Sequence, residues 1–221
     1  MTIKGQKHES LMSTISAFFL KIIGRNMNAF ALKFISDYLF IIVEKIIVKL
    51  PSLLQLYITY YEDIVDKEIN LVKITKKDTV LHIGCGSIPS TSLLVTQKTG
   101  ARTIGIDKNI LSVQDAQYCV HVVHKENQIQ IHHADAQIYT MQSSNVIIVS
   151  QGIEPRYEVL EHIANTMEPD TRVIFRTFSS KNGGITTQDA ILSTLFTIEN
   201  IVSHPQHGIL ISILLYKKTD I

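Results

Sequence analysis

A glycine turn followed at a fixed distance by an acidic residue is the part of the sequence that most clearly points to chemistry. An apolar run ends at Ile83 and leads directly into Gly84 and Gly86, and the next apolar run ends at Asp107, 21 residues after Gly86. Glycines allow a sharp turn and a close approach of a ligand to the backbone. A carboxylate about 20 residues further on can accept hydrogen bonds from both hydroxyls of a ribose. The spacing therefore indicates a nucleoside site.

Two simpler interpretations of these residues stay open from the sequence. The glycines could form a tight strand-to-helix turn that binds nothing, and Asp107 could be the N-cap of the helix that follows. The third glycine of the dinucleotide fingerprint is replaced by Pro89, so the glycines alone carry little weight.

Two further polar strand ends complete the pattern. Asp135 follows the third β-like run, where its carboxylate can bind the exocyclic amine of an adenine or simply be solvated in a loop, and Gln151 follows the fourth run. Together with the glycine turn these positions predict an adenosyl site. The predicted cofactor-binding residues are Gly84, Cys85, Gly86, Ser87, Pro89, Asp107, Lys108, Asp135, Ala136, Gln151 and Gly152.

The elements that position these residues alternate between β-like and helical runs. The β-like runs cover 79–83, 102–106, 128–132, 146–150, 172–178, 197–203 and 209–216, and the helical runs between them cover 90–99, 110–120 and 155–167. Alternation at this spacing predicts an α/β fold with a parallel sheet covered on both faces. The last two runs are close enough for an antiparallel hairpin. We therefore expect seven mostly parallel strands, the last one antiparallel.

The region before the sheet is predicted to be helical, with helices over 8–23 and 28–49 and a third beginning at Pro51. This divides the chain into a helical lid or bundle over 1–75 and a sheet domain over 76–221. The second helix is apolar but carries five charged residues, so we interpret it as a buried or subunit-packing helix rather than a membrane span. A homodimer formed through these helices is one expectation, and contact with a membrane surface is an alternative left open. No cleavage site suggests a signal peptide.

Composition excludes several classes of protein. The chain is 45% hydrophobic, with 21 basic and 20 acidic residues, which fits neither a disordered chain nor the basic excess of a nucleic-acid binder. Two cysteines are too few for a disulfide scaffold, so a cytoplasmic protein is expected. Nine histidines occur without the C-x-x-C or H-E-x-x-H settings of zinc sites, and no metal site is predicted.

From Thr79 onward the chain resembles the Rossmann-like fold of methyltransferases that bind S-adenosyl-L-methionine (SAM). In this resemblance Gly84 to Gly86 form the glycine motif and Asp107 is the ribose acid. His82 stands where that fold usually has an acidic residue, two positions before the first glycine, so the expected tie to the methionyl ammonium is weaker here.

Within that superfamily the chain is similar to the nicotianamine synthases. The segment 84–92 has the family's G-x-G followed by a proline and then Thr-Ser, and Arg176 ends a strand as the family's arginine does. Ser203-His204-Pro205 lies between the closing strands, and a tyrosine-rich helix carrying Tyr57, Tyr61 and Glu68 leads into the sheet domain. The N-terminal helical part is shorter than the family's.

The resemblance implies transfer of the 3-amino-3-carboxypropyl group of SAM to a small amino-acid-like acceptor. An amine nucleophile must lose a proton, and Tyr61 and Glu68 lie seven residues apart, on one face of the helix beginning at Pro51, with Tyr57 one turn earlier. We predict that Tyr61 and Glu68 orient and deprotonate the acceptor, with Glu44 as an alternative base and Arg176 as the partner of a carboxylate.

Each assignment has an alternative. The tyrosines and Glu68 could be a packing stripe ending in a solvated acid, Glu44 a surface residue and Arg176 a structural ion pair. For the whole chain, a methyltransferase acting on a small molecule or protein, and a non-catalytic partner subunit with this fold, are the two alternatives.

Overall fold

The computed structural model describes residue 47 and residues 50–180, 185–186 and 190–218. They belong to one structural unit, Ile47–Ile221. The helix predicted over 8–23, and all of the next predicted helix except Ile47, lie outside the described residues, and Glu44 lies outside them too. Ile47 is helical and buried.

Two helices precede the sheet, α1 (Pro51–Tyr60) and α2 (Glu62–Val72). Strands and helices then alternate: β1 (Thr79–Ile83), α3 (Ser90–Thr99), β2 (Arg102–Asp107), α4 (Ile110–Val122), β3 (Ile129–His133), β4 (Val146–Val149), α5 (Arg156–Thr166), β5 (Arg172–Phe178), α6 (Leu192–Leu195), β6 (Phe196–Ser203), a 3-10 turn (Pro205–His207) and β7 (Leu210–Lys217). The predicted runs from residue 79 onward differ from these bounds by two residues at most, and among the described residues the short helix α6 and the 3-10 turn were not predicted. Within the described ranges, no helix combines the length and apolar character needed to cross a membrane.

The seven strands form one sheet in the order β3-β2-β1-β4-β5-β7-β6. Strands β1 to β5 pair in parallel, whereas β7 runs antiparallel to both of its neighbours. The predicted sheet, mostly parallel with an antiparallel last strand, is confirmed. The order reverses at β1, which places the carboxyl ends of β1, β2 and β4 together at the edge where such sheets bind ligands.

The two faces of the sheet differ because side chains alternate along each strand. On one face Leu81, Ile147 and Phe175 are fully buried in an apolar core that α5 and α6 complete. The other face carries polar side chains near the carboxyl ends of β1 and β5, where His82 and Arg176 lie. Both are buried, so this face forms a polar layer inside the protein.

The single helix predicted to begin at Pro51 is instead two helices that meet at Tyr61. The Tyr61 N–H donates to the Ile58 carbonyl three residues back at 3.1 Å, a tight turn of the kind that ends α-helices. Glu62 and Asp63 then begin α2, where acidic side chains favour the positive end of a helix. The prediction of one continuous helix was wrong at this position.

Asp78 fastens the end of α2 to the amino-terminal edge of the sheet. Its Oδ1 accepts hydrogen bonds from Asn145 Nδ2 at 2.8 Å and from Arg172, and its Oδ2 accepts one from Thr75 N at 2.6 Å. Arg172 also donates to the Val72 carbonyl at 2.6 Å. One buried carboxylate thus joins α2, β4 and β5 at the edge opposite the glycine turn.

We expect Asp78→Ala to lower the free energy of unfolding by about 2 kcal/mol, because it leaves the partly buried guanidinium of Arg172 without its carboxylate partner. Urea denaturation measures this. The control is Asp63→Ala, which breaks a half-buried pair with Lys67 on α2, removes an acid from the first turn of that helix and should cost about 1 kcal/mol or less. Equal costs for the two variants would contradict the anchoring role.

Candidate active site

The turn after β1 depends on its two glycines. Gly84 and Gly86 have positive φ angles of 74° and 66°, which residues with a Cβ rarely adopt. The Gly84 N–H donates to the Ile106 carbonyl at 2.9 Å, so the turn folds back over β2. A Cβ on Gly84 would lie 2.3 Å from Cδ1 of Ile153, so this isoleucine would have to move.

Asp107 holds the glycine turn from the end of β2. Its Oδ2 accepts the Gly86 N–H at 3.0 Å and its Oδ1 accepts the Asn109 N–H at 2.9 Å. Helix α4 is capped by Asn109, whose side chain accepts the Leu111 N–H, so the alternative that Asp107 is the N-cap is wrong. Each carboxylate oxygen has a second acceptor position, which a ribose hydroxyl can use.

Asp135 lies two residues after β3 and is exposed. Its Oδ1 accepts the Gln137 N–H at 2.9 Å, which forms an Asx turn, while the neighbouring Ala136 is buried. The parallel pairing of β2 with β3 puts this turn at the same sheet edge as Asp107. Its predicted contact with adenine stays a prediction.

The segment after β4 lies at that edge as well. The Gln151 carbonyl accepts a hydrogen bond from Arg156 at 3.2 Å, and Lys108 Nζ donates to the Glu154 carbonyl. Gly152 is exposed and has open space where a Cβ would be. All the predicted cofactor-binding positions therefore cluster beyond the carboxyl ends of β1 to β4.

Two buried hydroxyls with unmet hydrogen bonds follow Gly86, one in the loop and one at the first residue of α3. Within the described part of the chain, neither Ser87 Oγ nor Ser90 Oγ has a hydrogen-bond partner. Pro89, between them, is buried and provides no side-chain cap for α3. Buried hydroxyls without partners cost free energy, so these two are candidate contacts for a polar ligand. Cys85 is buried as well.

His82 places a neutral ring beneath the glycine turn. Its Nδ1 lies 3.2 Å from Ser92 Oγ and its Nε2 lies 2.9 Å from Ser150 Oγ. Burial, with a smaller contribution from the charge of Arg176, lowers the pKa of His82 to about 3. A neutral imidazole lies where the methyltransferase fold usually has a carboxylate. Residue 82 therefore carries no negative charge that could pair with a cationic ligand.

Glu68 and Arg176, predicted in separate roles, form one buried ion pair. Arg176 Nε and Nη2 donate to the two carboxylate oxygens of Glu68 at 2.7 and 2.6 Å. Glu68 is 0% and Arg176 5% exposed. Glu68 is therefore not a solvated acid, and that alternative is wrong. Arg176 forms an ion pair, as its alternative interpretation stated. The catalytic role of Glu68 stays a prediction.

Tyr57 and Tyr61 lie side by side at the junction of α1 and α2. Their hydroxyls are 3.4 Å apart and their ring centroids 5.3 Å apart. Tyr57 is buried and Tyr61 half-buried. The adjacent Tyr60 meets the ring of His207 edge-on at 4.5 Å, so this junction touches the loop between β6 and β7.

Two residues that were not predicted to belong to the site join the ion pair. Ser212 Oγ donates to Glu68 Oε1 at 2.6 Å, and His204 Nε2 lies 2.8 Å from the same Ser212 oxygen. Both residues are 0% exposed. In the sequence, Ser212 is a single hydroxyl residue within an apolar strand. Strands with one solvent-exposed face have the same pattern, so the sequence did not mark Ser212 as a site residue. Among the described residues, no group of three or more histidine, cysteine or acidic side chains is arranged to bind a metal.

The lowered pKa of His82 predicts a pH-dependent stability. The unfolded chain takes up a proton below pH 6.5, whereas the folded chain does so only near pH 3. The contribution of His82 is therefore full above pH 6.5 and is lost as the pH falls towards 3, by up to about 1.4 kcal/mol per pH unit. In urea titrations between pH 7.5 and 4.5, His82→Asn should show a shallower slope.

The control for that experiment is His132→Gln, which removes an imidazole from the surface. A His82→Asn variant whose stability falls with acid as steeply as the parent's would contradict the assignment of a buried neutral ring.

A second prediction concerns the ion pair. Glu68→Gln should lower the free energy of unfolding by about 3–5 kcal/mol, because it leaves a buried guanidinium uncompensated. The double variant Glu68→Leu/Arg176→Met should cost less than the sum of Glu68→Leu and Arg176→Met measured singly, since neither charge then stays behind. Urea denaturation gives the values for all four variants, and Lys67→Met, which breaks the half-buried ion pair with Asp63 on the same helix, is the control. Strictly additive costs would refute the coupling.

The fold is similar to that of several solved structures. No family model and no curated protein matches the chain. Among solved structures, a point mutant of the nicotianamine synthase MtNAS in complex with S-adenosylmethionine superposes with a TM-score of 0.68 at 17% identity, over 79% of this chain and 70% of that one. MtNAS in complex with MTA and tNA gives 0.69 at 17% identity, over 80% and 69%. The mitomycin 7-O-methyltransferase MmcR gives 0.59 at 14% identity, over 76% and 58%. The chain therefore has the Rossmann-like fold of the SAM-dependent methyltransferases.

Proposed function

We propose that the chain is a SAM-dependent transferase. The observation that carries this proposal is the hydrogen bond from the Gly86 N–H to Asp107 at 3.0 Å. It joins a glycine turn and a strand-end carboxylate at the edge where open α/β sheets bind nucleosides. In this proposal Gly84, Gly86 and Asp107 bind the nucleoside, and Asp135 binds the adenine amine.

The group transferred is proposed to be the 3-amino-3-carboxypropyl unit, and the acceptor a small amino-acid-like amine. The amine nitrogen attacks the methionyl γ-carbon, the carbon–sulfur bond breaks, and its electron pair leaves with methylthioadenosine. Two features support this choice over methyl transfer: the loop 84–92 resembles that of the nicotianamine synthases, and the MtNAS structures superpose with higher TM-scores than MmcR does. Tyr57 and Tyr61 flank the proposed acceptor.

Asp107→Ala should weaken SAM binding by about 10- to 100-fold, since it removes charge-assisted hydrogen bonds to the ribose and frees the glycine turn. Isothermal titration calorimetry measures the affinity. Asp170→Ala, at an exposed turn before β5, is the control and should bind SAM as the parent does. An Asp107→Ala protein with parental affinity would refute the ribose assignment.

The transferred group is decided by the nucleoside released when the protein is incubated with SAM and a panel of amino acids. Methylthioadenosine, identified by mass spectrometry, supports aminocarboxypropyl transfer. S-adenosylhomocysteine would show methyl transfer and overturn the finer proposal. A chain that binds no SAM would be a non-catalytic subunit with this fold.

A further inference from the structure

His204 is a buried titratable residue that the proposed function does not yet use. Its side chain is fully shielded from water, and among the described residues its Nδ1 has no hydrogen-bond partner. A buried ring nitrogen without a partner is costly and rare. This one lies beside the polar layer that contains Glu68 and Arg176.

The hydrogen bonds around His204 define which of its nitrogens carries the proton. Ser212 uses its hydroxyl hydrogen to donate to Glu68 Oε1 at 2.6 Å. Its oxygen must then accept from His204 Nε2, 2.8 Å away. When Nε2 of a neutral imidazole carries the hydrogen, Nδ1 carries a lone pair. The chain from carboxylate to hydroxyl to imidazole thus leaves Nδ1 as a proton acceptor.

The surrounding charges agree with a neutral ring. Burial lowers the pKa of His204, and the positive charges of Lys67, Arg176 and His207 lower it further, while the Glu68 carboxylate acts in the opposite direction. The net direction is downward. The ring is therefore unprotonated at neutral pH, and its Nδ1 keeps the lone pair.

The topology brings His204 to the ligand edge of the sheet. Because β7 is antiparallel to β5, the loop before β7 lies beyond the carboxyl end of β5, on the same edge as the glycine turn. The Ser179 N–H donates to the Ile209 carbonyl at 2.7 Å and closes the loop onto β5. The contact between His207 and Tyr60 joins the loop to α1, which carries Tyr57.

Glu68 is better placed to position than to react. Its oxygens already accept three hydrogen bonds, two from Arg176 and one from Ser212. Its carboxylate holds Ser212, and Ser212 in turn holds the imidazole in one tautomer. This is the logic by which a third group orients a base.

We propose that Nδ1 of His204 takes the proton of the acceptor amine during aminocarboxypropyl transfer, with Ser212 and Glu68 as positioning residues. As the nitrogen–carbon bond forms and the carbon–sulfur bond of SAM breaks, the proton of the resulting ammonium passes to Nδ1 and the sulfur retains the electron pair as methylthioadenosine. This inference rests on the proposed function.

The test is His204→Gln, whose amide can keep the bond to Ser212 but cannot take the proton. With the acceptor that the wild type uses best, kcat at pH 7 should fall by about 100-fold or more, while the Kd for SAM stays within about twofold. The acidic limb of the wild-type pH–rate profile should be lost. His121→Gln, an exposed histidine in the last turn of α4, should keep the parental rate.

Ser212→Ala keeps the test decisive if His204→Gln does not fold. It should lower kcat by about tenfold with the acceptor KM unchanged and the pH profile shifted, and Ser212→Thr should restore the rate. Methylthioadenosine release by His204→Gln and Ser212→Ala at parental rates would overturn the role of His204 and leave the proposed function standing. A wild-type protein that releases no methylthioadenosine would overturn both.

Discussion

The carboxylate of Glu68 and the guanidinium of Arg176 meet in a part of the protein that water does not reach. Each charge alone would be very costly there, and two parallel hydrogen bonds compensate for that cost only in one geometry. Although burial acts to lower the pKa of Arg176, the adjacent carboxylate raises it, so the guanidinium stays charged. The ion pair therefore fixes the position of helix α2 over the sheet. The side chains packed around the pair are fixed with it.

The polar layer exists because the alternation of side chains is continuous across four neighbouring strands. The register pairs His82 with Ile148, Ile148 with Ile174 and Arg176 with Ser212. The polar positions therefore share one face, and the apolar core takes the other. Asp107 at the nucleoside edge and Arg176 of the ion pair have side chains on the same face of the sheet. A change in the register of one strand would therefore disrupt both.

Much of the nucleoside edge could be predicted from the sequence, because its residues lie in or directly after short strands. Local spacing along the chain determines the glycine turn, Asp107 and the antiparallel last strand. Such spacing can be read directly from the sequence. The ion pair was not predictable, since Glu68 and Arg176 are 108 residues apart and were assigned to different tasks. Ser212 looked like an ordinary strand residue, and the break at Tyr61 leaves no proline or glycine in the sequence to reveal it.

Strand β7 follows β6 in the chain but lies between β5 and β6 in the sheet. During synthesis β6 therefore leaves the ribosome with no sheet edge of its own to join, because its hydrogen-bonding partner is made after it. Until β7 inserts, β5 is an unpaired edge, and Arg176 lacks the Ser212 hydroxyl that completes its cluster. Such non-local pairing is slow and leaves edges exposed to other chains, and the polar layer is complete only once β7 has paired with β5.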